Sequence, residues 1–186
     1  MAKKGAPATD DGGPVFDYCK KKVLVLGAGN ILFGDDGFGP AVIEELERRK
    51  LPKDIYVMDV GSSARGILFN ILLSEKIPDV MIIVDSMTKE TAKRKPGTVL
   101  EVGLEDLGAE KSDDFQFHYV PTSNMLLDLR DQKGMTVIII ACVVKEIPKE
   151  QMFMGLSDPV KAAVPVAADL VIKRAKDLLN NIKRKR

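Results

Sequence analysis

Four short apolar runs, KVLVLGAG, DIYVMDVG, DVMIIVDSM and MTVIIIACVV, constrain this chain more than any other feature. Each has the length of a strand, and DVMIIVDSM is apolar through its centre, as a strand buried on both faces must be. Helical patterns lie between them. PAVIEELERRK puts Val42, Ile43 and Leu46 on one face, and ILFNILLSE forms a second helix. SNMLLDLRDQKG reads as a third, with Ser123 as its N-cap and Gly134 just past its end. DPVKAAVPVAADLVIKRAKDLLNNIK closes the chain as a long helix, which Pro165 is expected to kink or split. GTVLEVG reads as a shorter strand, antiparallel at an edge. Strands alternating with helices imply βαβ units, hence an α/β fold with a twisted, mostly parallel sheet covered on both faces. In such sheets ligands collect outside the carboxyl ends of the strands.

The 186 residues suit one domain with a real core, and no internal repeat or second core is visible. The domain is expected over 22–186, after an N-terminal arm over 1–21 whose first 18 residues lack periodicity. A net charge of +1 argues against a broad electrostatic surface for nucleic acid. The basic tail IKRKR is read as complementing a helix dipole. No run approaches the ~20 apolar residues of a membrane span. No apolar stretch follows the basic start, so a secretory signal is not expected and the expected compartment is cytoplasm. Two cysteines make no disulfide framework. Cys142, in IIIACVV, should be buried and inert, whereas Cys19, in a polar stretch, is expected to be exposed.

Three polar points fall where the ligand edge should be. In GAGNILFGDDGFGP, between the first strand and the first helix, glycines allow tight turns, and Asp35 and Asp36 precede the helix. Acidic residues there also serve as plain helix caps. Asp85 follows the apolar strand MIIV and is expected at its carboxyl end, where a carboxylate needs a partner or a ligand. His118, the sole histidine, sits among aromatics in FQFHYVPTSN, a setting that equally suits a packed residue. Two carboxylates and an imidazole would make an open metal set for nickel, zinc or iron. Neither HExxH nor a CxxC pair is present, so this is not a standard zinc protease or zinc ribbon. Ser86 is merely adjacent to Asp85 in the chain, and neighbours on a strand point to opposite faces.

VLVLGAGNILFGDDGFGPAVIEEL closely resembles the N-terminal signature of the hydrogenase maturation endopeptidases. MDVGSSARG, MIIVDSM and HYVPTSNMLLDL are similar to the family's later signatures, in the same order, from about Lys22 to Leu179. PTSNMLLDL and the extended N-terminus look most like the branch serving coenzyme F420-reducing hydrogenases. The resemblance implies a five-stranded twisted sheet between helices. It implies an endopeptidase that cuts the C-terminal extension from a nickel-iron hydrogenase large-subunit precursor after nickel insertion. It assigns metal contact and catalysis to Asp36, Asp85 and His118, with nickel supplied by the precursor rather than held tightly by the free enzyme. Asp36 stands where many members carry glutamate, and Gly61, Ser62 and Ser63 where Gly-Gly-Thr is usual. Asp59 falls on the acidic residue of the second signature. The implied partner is the large-subunit precursor alone, with no nucleic acid or membrane, and the chain is expected to be a monomer. Hydrolysis by a carboxylate-activated water and by the metal as Lewis acid both stay open.

Two rivals remain at this level. GAG after a strand, with Asp59 ending the next, imitates a dinucleotide-binding start, although Leu32 occupies the third glycine position of GxGxxG. A non-catalytic, nickel-sensing maturation chaperone would use the same fold.

Overall fold

A computed structural model describes residues 16–88, 94–104, 121–145, 147 and 152–185. His118 and residues 1–15 of the expected arm lie outside the described residues. The five strands are β1 (Val23–Ala28), β2 (Ile55–Gly61), β3 (Val80–Thr88), β4 (Val99–Val102) and β5 (Thr136–Val144). They lie in the order β2-β1-β3-β5-β4. The first three and β5 run parallel, and the edge strand β4 pairs antiparallel with β5. The apolar runs dictate this order of burial. Every residue of β1 is buried, as is β3 from Val80 to Met87, because both strands are covered on two faces.

Among the described residues four α-helices provide the cover: α1 (Phe38–Glu47), α2 (Ala64–Leu73), α3 (Pro121–Asp131) and α4 (Asp158–Lys185). Strand alternation splits the core in two. Val23, Val25, Ile82, Val84, Ile140 and Cys142 pack under α1 and α4. Leu24, Leu26, Met81, Ile83, Ile139 and Ala141 pack under α2 and α3. The result is a three-layer α/β domain. No described helix is long and apolar enough to cross a membrane.

Some local expectations hold and others do not. Gly134 ends α3 at φ +70°, with Gly134 N–H donating to the Arg130 carbonyl and Met135 N–H to that of Leu129. Ser123 is not the N-cap, because α3 already begins at Pro121, a residue suited to a first helical turn. Pro165 does not split α4, which runs through it unbroken. The apolar row Val160, Ala163, Ala167, Ala168, Val171, Ala175 and Leu179 continues on both sides of it against the sheet. At ~0.8 kcal/mol per buried methylene that row outweighs the ~3 kcal/mol cost of one helical proline. Cys19 is buried rather than exposed. It sits in a short 3-10 turn, Asp17–Lys20, that tucks Tyr18 and Cys19 against the α2 side of the sheet. Cys142 is fully buried as expected, and its thiol is pushed up to about 12 by burial and then by the nearby charge of Asp35.

Candidate active site

The strand order reverses direction between β1 and β3. The chain leaves β1 for α1 on one face, and reaches β3 through α2 on the other. Such a switch point opens a crevice at the carboxyl ends of the two strands. Here β1 stops early. Its pairing with β3 ends at Gly27 opposite Val84, while β3 continues along β5 from Asp85 to Thr88. Asp85 is therefore inside β3 rather than at its end. It stands just past the point where pairing with β1 has ended.

The segment released by β1 folds back over this point. Gly29, at φ +128°, makes the reversal, and a side chain there would overlap the Asp36 carbonyl. Gly39 lets α1 settle directly on the sheet, since a β-carbon would overlap the carbonyl oxygens of Ala28 and Val84. Between them a 3-10 turn, Gly34–Gly37, carries Asp35 and Asp36, both buried.

The two aspartates have different partners. Asp35 turns towards the loop before α4, where its carboxylate accepts from Ser157 N–H (2.7 Å) and Ser157 Oγ–H (2.8 Å). Asp36 faces the crevice. Its Oδ2 accepts from Asn30 N–H at 2.8 Å and its Oδ1 from Ser86 Oγ–H at 3.4 Å. Ser86 also donates its N–H to Asp85 Oδ1 at 2.7 Å, so one residue bridges both acids. Asp36 is 3% exposed and Asp85 4%, so two acidic groups share one dry site. Burial raises the Asp85 carboxyl to about 8; the Ser86 N–H partly offsets this and the charge of Asp36 adds to it. Asp85 thus holds its proton at neutral pH in the absence of a cation.

Asp59, also near the rim, is exposed and accepts from Gly61 N–H at 2.8 Å. It lines a cleft of about 430 Å³ with Ile31, Gly37, Glu44 and Leu156. A second cleft of about 320 Å³ is lined by Asp35, Phe153 and Ser157. Neither cleft is lined by Asp36 or Asp85, both of which are buried.

Of the sequence-derived set, Asp36 and Asp85 come together and His118 lies outside the described residues. Among the described residues no three-membered cluster of metal-binding side chains is present. Sequence reasoning missed Ser86 and Asn30. Their signals were weak: a serine beside an acid on a strand, and an asparagine whose Oδ1 caps its own turn by accepting from Leu32 N–H. The dinucleotide reading fails on the loop's amides. Those of Gly29, Asn30, Leu32, Phe33, Gly34 and Asp36 all donate within the protein and so do not cradle a pyrophosphate.

Fold and site define an α/β protein with a buried acidic pair at the switch point of its sheet. Comparison with known proteins narrows the class. The family profile described as hydrogenase maturation protease matches residues 40–174. A protein of Methanocaldococcus jannaschii bearing the hydrogenase maturation protease name is 36% identical over 84% of this chain and 98% of its own length. The coenzyme F420 hydrogenase subunit delta of Methanothermobacter thermautotrophicus is 34% identical, covering 81% and 92% respectively. The solved [NiFe] hydrogenase maturation protease HybD from Thermococcus kodakarensis superposes with a TM-score of 0.62 at 31% identity, over 83% of this chain and 99% of its own. The chain belongs to the hydrogenase maturation protease family and is a peptidase.

Proposed function

We propose that this peptidase removes the C-terminal extension of a nickel-iron hydrogenase large-subunit precursor after nickel has been inserted, and that the hydrogenase is a coenzyme F420-reducing one. The observation that carries the reading is the buried Asp36–Asp85 pair, held over the switch point in a chain of this family. The likeness to the F420 hydrogenase delta subunit favours the particular hydrogenase.

The pair suits recognition of a cation carried in by the substrate. Burial and the charge of Asp36 raise the Asp85 carboxyl to about 8, and a divalent ion would relieve both the burial cost and the repulsion. Nickel in the precursor is then gripped by Asp36 and Asp85, with His118 as the imidazole donor. Two carboxylates and one imidazole leave coordination positions for the precursor's own ligands. A precursor without nickel offers nothing to grip and stays uncut. The same acids offer a base for the attacking water once Asp85 is deprotonated. Such a carboxylate route resembles that of aspartyl proteases.

The test is mass spectrometry of a candidate large-subunit precursor, nickel-loaded or nickel-free, before and after incubation with the protein. Loss of a C-terminal peptide from the loaded form alone is expected. Full processing by D36A, D85A and H118A variants alike would overturn the assignment of these residues, and cutting of the nickel-free form would overturn the recognition step.

A further inference from the structure

Beside the acidic pair lies a short ledge that neither catalysis nor metal recognition uses. Phe153 forms an isolated parallel bridge with Phe33. Its N–H donates to the Leu32 carbonyl at 2.9 Å, and its carbonyl accepts from Gly34 N–H at 2.6 Å. Four residues on, Ser157 is fastened to Asp35 through two further hydrogen bonds. The segment is thus pinned to the same turn that carries Asp36.

Two properties of this ledge need a partner. Phe153 turns its amide and carbonyl inward, so the main-chain groups of Met152 and Met154 point to the opposite side. Among the described residues neither group makes a main-chain hydrogen bond. The side chains around it are large, apolar and exposed: Met152 at 70%, Phe153 at 63%, Met154 at 68%, with Ile31 at 53% alongside. Contiguous apolar surface of this kind marks an interaction site, and an open strand edge is completed by an extended chain.

We infer that Met152–Met154 is a docking strand for the polypeptide to be cut. An extended, apolar stretch of the large-subunit precursor pairs along its free edge and is led towards Asp36 and Asp85. The inference rests on the function proposed above. The precursor is a better occupant than a second copy of this chain. An endopeptidase must receive its substrate extended and next to its carboxylates, and this edge is tied to the turn bearing one of them. A second folded copy on the same edge would cover that approach.

The experiment compares the full chain with two variants on nickel-loaded precursor. M154P removes an outward N–H while keeping the inward bonds of Phe153, and the double variant M152S/M154S removes apolar side chains but no main-chain donor. Neither residue belongs to the acidic site. We expect KM to rise about tenfold in each, with kcat changed less than about twofold and an unaltered melting temperature. Unchanged KM in both variants, with wild type active, overturns the docking strand and leaves the proposed function standing. An inactive wild type instead overturns the function itself. To guard against misfolding of M154P, a photo-crosslinking amino acid at position 153 reads contact directly. Crosslinks to the precursor's C-terminal region support the inference. Crosslinks to a second copy of this chain, or to the precursor elsewhere, overturn it.

Discussion

Asp35 and Asp36 are adjacent in the chain and both buried, yet they belong to two regions with opposite chemistry. On the Asp35 side a carboxylate meets two donors of Ser157, closing the turn against the loop before α4. On the Asp36 side two carboxyl groups crowd together, and Asp85 keeps its proton because burial and its neighbour disfavour its charge. The first region spends its acid on holding the fold. The second keeps its acids in tension, at a cost in burial and mutual repulsion. What separates the two is not the number of donors but the second buried carboxyl that stands near Asp36.

This contrast can be broken by exchange of roles. The largest effect is expected at the pair. Asp36→Ala and Asp85→Ala should each lower precursor cleavage by at least about a hundredfold, measured by mass-resolved time courses, while the protein stays folded. Retention of near-normal rates would erase the distinction between the regions. Next comes the tie. Asp35→Ala should cost roughly 2–4 kcal/mol in urea unfolding by removing two charge-assisted hydrogen bonds. It should leave cleavage measurable at a temperature where the variant is folded. If it abolished cleavage in a fully folded protein, Asp35 would belong with the site.

A pH dependence separates the two further. The folded Asp85 carboxyl is raised from 3.8 to about 8, so between those values the native state holds a proton that the unfolded chain releases. Native stability contributed by this group therefore falls as pH rises through that window. Asp85→Asn, which mimics the protonated form, should gain stability over wild type as pH goes from 5 to 9. The gain should be smallest at the acid end and is read from paired denaturation curves. A constant difference across the range would remove the claim of a protonated Asp85. By the same reasoning, nickel affinity should strengthen towards pH 8, because the cation competes with that proton. The smallest effect is at the bridge. Ser86→Ala loses one long hydrogen bond to Asp36 and should cost about 1 kcal/mol or less, with its N–H to Asp85 intact.

Much of the architecture was legible. The apolar centres of β3 and β5, and the helical faces of α1 and α4, follow from periodicity, because burial is periodic in the chain before it is realised in space. Gly134 was readable as a helix stop for the same local reason. The errors sit where distant segments intervene. Cys19 looked exposed among polar neighbours, but the sheet and α2 cover it. Pro165 looked disruptive, but the packing of α4 on both sides of it holds the helix together. Ser86 looked incidental, because adjacency on a strand says nothing about a loop that returns from β1.

By itself, then, the sequence determined the layers, the alternation of strands and helices, and the placing of acidic residues at the chain's turns. These depend on spacing and hydrophobicity, which are local quantities. Only the tertiary structure decided which acid became a tie and which joined a second buried carboxyl. That choice depends on the donors that arrive from other segments, Ser157 at Asp35 and Ser86 at Asp36, and on the early end of β1 that opens the crevice beside Asp85.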